Sequence, residues 1–240
     1  MKAHTPASKI VTASLITILA KLGGILKVSF IFGSCAALFS ASSMLQPLSG
    51  AFGGILGSTT FLVIGMMIRV LTGSVLSFKI LAYHIPGFFA SAYWAGQSKW
   101  LSIAVPVVCM ALFLAHPVGL AAAPYALYWL IPVVIALLPM LEKYNIPFIN
   151  PFVLSLRRIS PNKSIFLTSL SSTFIAHAVG SVIWIYAAPA TPAFWYALIP
   201  MVAVERFVMA CGMTLAYHAI AKIIVRFAAL RSYVAGAVGV

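Results

Sequence analysis

The sequence predicts an all-α fold, a polytopic integral membrane helical bundle of six transmembrane helices preceded by an N-terminal interfacial helix. Three observations carry that prediction. The 240-residue chain is 63% hydrophobic and 7% charged, with a mean hydropathy of +1.10, a composition that belongs to membrane-embedded proteins. Several apolar runs reach about 20 residues, the length a helix needs to cross the hydrocarbon core. Period-two alternation is missing, which argues against a membrane barrel.

The formal charge is +13. Lys and Arg cluster beside apolar runs and do not line one solvated face, so they read as topology signals and not as a nucleic-acid footprint. Cys35, Cys109 and Cys211 lie in apolar segments without CxxC or Cys/His spacing. They read as small buried side chains, and neither a metal site nor a cofactor is expected.

Residues 1–27 form a cytoplasmic or interfacial N-terminal segment, in which Lys2, Lys9, Lys21 and Lys27 bracket IVTASLITILA. That run is too short to span, and an interfacial helix is favoured over a removable signal. Residues 28–231 form a single transmembrane domain, and 232–240 a C-terminal tail. The first span, Val28 to Gln46, carries Gly33, Ala37 and Ala41 at four-residue spacing, which lets a second helix approach closely. The second, about Gly50 to Ile68, repeats the device at Gly53 and Gly57.

Val75 to Gly96 reads as the third span, kinked at Pro86, with His84 as a candidate donor and Tyr93 and Trp94 near the outer surface. Trp100 to Leu141 is broken by Pro106, Pro117, Pro124, Pro132 and Pro139, and His116-Pro117 with Gly119 marks a turn. A charge-balanced topology needs one full crossing there, with the remainder re-entrant, short or tilted. Glu142 to Lys163 is the longest polar interruption and the best cytoplasmic loop; its basic residues are topogenic and suited to anionic lipid.

Ser164 to Ala188 carries a polar stripe, Ser169, Thr173, His177, Ser181 and Trp184, at three- or four-residue steps along one helix face. Ala176 and Gly180 beside it permit close packing. Such groups can bind and stack a flat polar ligand, and they can equally serve as interhelical links. The last span, about Ala197 to Ile223, returns both termini to the same side, the cytoplasmic face of the inner membrane. It contains Glu205 and Arg206, and Glu205 is one of only two acidic residues in the chain. Intramembrane charge points to function. If the helix starts at Pro200, Glu205 lies about 8 Å inward, within reach of the Trp184 end of the stripe and also within snorkelling distance of the interface.

Motifs for enzyme chemistry are missing: no HExxH, no GxSxG, no P-loop, and a single membrane carboxylate where paired-acid chemistry needs two. An enzyme is not expected. Any ATP-driven process requires a nucleotide-binding partner.

The lysine-flanked start, the Ala37-Leu-Phe-Ser-Ala41 pattern, the Gly-rich spans and the polar last helix together resemble the substrate-binding S component of energy-coupling factor transporters. That resemblance implies a six-helix subunit that binds a vitamin or similar micronutrient near the outer face. It also implies docking, through Gly33, Ala37 and Ala41, on a transmembrane coupling subunit driven by ATPases. The candidate substrate-binding residues are Glu205, His177, Trp184, Thr173, Arg206, His84 and Trp94. The partners expected are a small molecule, the lipid bilayer and those subunits, with no nucleic acid. Two other classes remain open: a self-sufficient secondary transporter coupling ions or protons through Glu205 or His177, and a non-transporting membrane scaffold.

Overall fold

A computed structural model describes residues 14, 16, 18, 42–71, 78–96, 99–143 and 163–238. Most of the predicted interfacial segment and of the first span, with Cys35, Gly33, Ala37 and Ala41, lies outside the described residues, as does most of the Glu142 to Lys163 loop. Among the described residues the chain is helical, with no strand. The helices are α1 (Ser42–Leu45), α2 (Leu48–Leu71), α3 (Phe78–Gly96), α4 (Lys99–Ala115), α5 (Pro117–Ala121), α6 (Ala123–Ala126), a 3-10 turn (Leu127–Trp129), α7 (Leu130–Lys143), α8 (Lys163–Ala187) and α9 (Pro192–Val238). Three segments among the described residues are long and apolar enough to cross a membrane: Leu48–Ile68, Ile165–Ala187 and Pro192–Arg226.

α8 is the hub, packing against α3, α4, α7 and α9. Its composition explains why. Ser169, Ser171, Ser172, Thr173 and Ser181 are all buried, because hydroxyls in an apolar surrounding gain by facing protein partners. Ser172 donates to the Ala90 carbonyl on α3 at 3.2 Å, and Ser169 lies 3.1 Å from the Thr214 hydroxyl on α9. Outward positions are large and apolar, among them Leu71, Leu120, Leu127, Leu215 and Val225, as a lipid-facing surface requires.

α2 and α3 meet closely through small residues. A Cβ on Gly50 would run into the Ser91 carbonyl, and the Ser91 hydroxyl sits 2.9 Å from that of Ser49 and 2.8 Å from that of Ser58. Gly53 and Gly57 are buried as well. Gly54, in contrast, adopts φ 64° and ψ −158°, breaking α2 into two helical pieces. That conformation is open to glycine and costly for other residues.

The Pro-rich centre folds as its punctuation suggests. α4 ends at Ala115, the His116 ring accepts from the Val118 amide at 3.2 Å, and Pro117 opens α5. Short turns then reverse the chain so that α7 packs back on α4. Gly119 is required here, since a Cβ would strike the Phe113 carbonyl.

The last helix departs from expectation. It begins at Pro192 and not at Pro200, which lies inside it. Thr191 caps the start, its hydroxyl oxygen accepting from the Phe194 amide at 3.3 Å, and Pro192 takes the first-turn position where its missing N–H costs nothing. Glu205 therefore lies thirteen residues into the helix, about 20 Å from its start at the standard rise and not about 8 Å.

Candidate functional site

That depth fixes which groups meet. α8 and α9 are joined by the short segment 188–191, so residues equally far from the turn lie at the same level. Thirteen residues back from Ala187 is Phe174, one turn from His177. Glu205 and Arg206 thus sit beside the His177 level of the stripe, and Trp184 lies about 15 Å nearer the turn.

Arg206 is 4% exposed and its Nη2 lies 3.0 Å from Glu205 Oε2, with Glu205 at 16%. Neighbouring residues on a helix point about 100° apart, so this contact requires the two side chains to bend together. Snorkelling does not account for the pair. A guanidinium with this burial, about 20 Å from the helix start, has no water to reach at that end.

Tyr125, in the short helix α6, brings the centre of the chain to α8. Its hydroxyl is 2.9 Å from His177 Nε2 and 3.3 Å from Ser181 Oγ. Around it stand Trp195, with ring centroids 4.9 Å from Tyr125, Phe113 at 5.7 Å and Trp129 at 6.2 Å. Phe113 meets both indoles edge-on at 5.1 Å. Phe174 stacks on Tyr128 at 5.9 Å and approaches His177 edge-on at 6.5 Å. The Tyr128 hydroxyl donates to the Ile199 carbonyl at 3.0 Å, tying the centre to α9 beside Pro200. The indole nitrogens of Trp129 and Trp195 are buried with no hydrogen-bond partner among the described residues. The result is a closely packed, buried aromatic cluster with hydrogen-bonding groups and one ion pair near it. Its ring faces and donors are of the kinds that stack a planar group and bond its acceptor atoms, once the packing opens to admit one.

Of the residues anticipated from sequence, this arrangement brings together His177, Glu205 and Arg206, with Thr173 on the same stripe. Thr173 is buried, and its hydroxyl donates to its own helix at the Leu170 carbonyl, 2.8 Å away. Trp184 is 47% exposed. Its angle on α8 is right, but in the last turn only Ile185 is covered. Trp94 is buried elsewhere, stacked on Tyr217 at 5.5 Å in a cluster with Leu48 and Met213. Tyr93 and Trp94 are buried in protein, and Tyr217 lies twenty-five residues into α9, so Trp94 is at the end of the bundle away from the α8–α9 turn and not near the outer surface expected for it. His84 is buried on α3. Residue pattern does not single out Tyr125, Trp129 or Phe113 as binding groups, and marks Trp195 only as a weaker candidate than Trp184. Trp195 in particular reads as an interfacial belt residue when the helix is started at Pro200.

Compared with family models, curated proteins and solved structures, the chain matches none.

Proposed function

We propose that this chain is a membrane-embedded binding subunit for uptake of a vitamin or related small micronutrient, energised by separate coupling and ATPase subunits. In this reading six helices cross the inner membrane behind an N-terminal interfacial helix, both termini are cytoplasmic, and Gly33, Ala37 and Ala41 form the face that docks the coupling subunit. The single observation that supports it is the Glu205–Arg206 pair, 3.0 Å apart, set beside the Tyr125–His177–Ser181 hydrogen-bonded group within an apolar bundle. Buried ions cost several kcal/mol of desolvation and are seldom the most stable way to fill a core. Their retention here favours a use, and the aromatic wall suits a flat polar ligand.

The same hydrogen-bonded group supports a second reading, a self-sufficient transporter in which His177 and Glu205 pass protons. Mass spectrometry of small molecules that co-purify with the detergent-solubilised protein tests the first reading directly. A stoichiometric planar molecule supports it. Uptake of that molecule into liposomes without any ATPase favours the second reading, and absence of any bound molecule counts against both.

A further inference from the structure

A different part of α9 carries a cationic groove, apart from the site above. His218, Lys222 and Arg226 recur at four-residue spacing, which stacks them on one face of the helix. With Ala221 and Val225 they line an open groove of about 410 Å³. Its floor is apolar and its rim is cationic. Lys222, Val225 and Arg226 are exposed, and His218 sits edge-on to Tyr217 at 5.6 Å. Tyr217 is held in turn between Phe52 and Trp94.

Depth identifies the occupant. His218 and Arg226 lie twenty-six and thirty-four residues from the start of α9, or about 39 and 51 Å along its axis. The hydrocarbon core is about 30 Å thick and the whole bilayer about 40–45 Å. A helix that starts at one interface and crosses with the usual tilt of about 20° therefore delivers His218 and Lys222 to the headgroup layer of the other and Arg226 to its water-facing edge. Charge adds a second argument. The chain has 15 Lys and Arg against 2 Asp and Glu, and Glu205 is held by Arg206, so counter-anions for this face come largely from outside the chain.

We propose that the His218–Lys222–Arg226 groove binds the headgroup of an anionic phospholipid, with the phosphate on Lys222 and Arg226 and the glycerol backbone against Ala221 and Val225. Free phosphate would use the cations alone. A lipid uses the apolar floor as well, and the groove has both.

Native mass spectrometry of the full chain titrated with phosphatidylglycerol, with phosphatidylcholine of the same chains, and with inorganic phosphate tests this. One retained phosphatidylglycerol per chain is expected at concentrations where phosphatidylcholine is not retained. Lys222→Gln with Arg226→Gln should weaken retention by about tenfold or more, whereas Lys222→Arg with Arg226→Lys should keep it and so control for folding. Equal charge removal at Lys2 and Lys9 should leave it within about twofold of wild type. Equal retention of both lipids, an unaffected double Gln variant, an equal loss on Lys2 and Lys9 neutralisation, or displacement by inorganic phosphate would each overturn the assignment.

Discussion

The Tyr125 hydroxyl lies 2.9 Å from His177 Nε2, joining residues fifty-two positions apart. This bond ties the Pro-broken centre to α8 at the level of the Glu205–Arg206 pair. Tyr125→Phe removes it and the Ser181 contact while keeping the ring. Interhelical hydrogen bonds in membranes contribute modestly, so thermal unfolding in detergent should show a loss of about 0.5–2 kcal/mol. Tyr125→Ala also opens a cavity among Phe113, Trp129 and Trp195, and should cost about 3–5 kcal/mol.

Charge removal at the pair should be strongly non-additive. Arg206→Gln or Glu205→Gln alone strands a charge in a poorly hydrated place and should destabilise by about 3–5 kcal/mol. The double variant strands none. A double-mutant cycle by thermal unfolding should find it no less stable than the worse single variant.

Two adjacent glycine sites separate packing from backbone strain. Gly50→Ala puts a methyl against the Ser91 carbonyl, so α2 and α3 must part and the Ser49–Ser91–Ser58 hydroxyl contacts break. Gly54→Ala meets no atom within 4 Å, but its φ of 64° costs a side chain about 1–3 kcal/mol. Thermal unfolding should therefore show both destabilised. Gly50→Ala should cost more, since the obstructing atom is backbone and cannot turn aside.

Topology follows from the α8–α9 turn. Cysteine placed at Ala193 should react with an impermeant maleimide in intact cells, whereas cysteine at Ser160 or Ser232 should not. Labelling at either of the last two would reverse the inside–outside assignment.

Much of the bundle was legible because span length, proline and glycine are local signals: the helices at 48–71, 78–96 and 163–187, and the break at His116-Pro117, can be read from short windows. The site was legible in part. His177, Ser181 and Arg206 stand out as polar groups in apolar runs, and that contrast survives folding. Tyr125 and Trp195 did not stand out, since aromatics in membrane proteins commonly serve as interfacial belts and only tertiary depth distinguishes a wall from a belt. The error in depth came from Pro200. Thr191-Pro192 carried the better start signal, a hydroxyl cap followed by proline in the first turn, and reading it would have placed Glu205 beside His177 and away from Trp184.

The central claim is that a small molecule binds at the Tyr125–His177–Arg206 wall. Equilibrium binding of the co-purified molecule to Tyr125→Phe, His177→Ala, Arg206→Gln and Trp184→Ala tests it most directly, each variant first being checked for a native thermal transition. The account predicts affinity losses of about tenfold or more, or about 1.4 kcal/mol, for the first three and less than about threefold for Trp184→Ala. Binding by all three wall variants within about threefold of wild type, or a loss confined to Trp184→Ala, would contradict it.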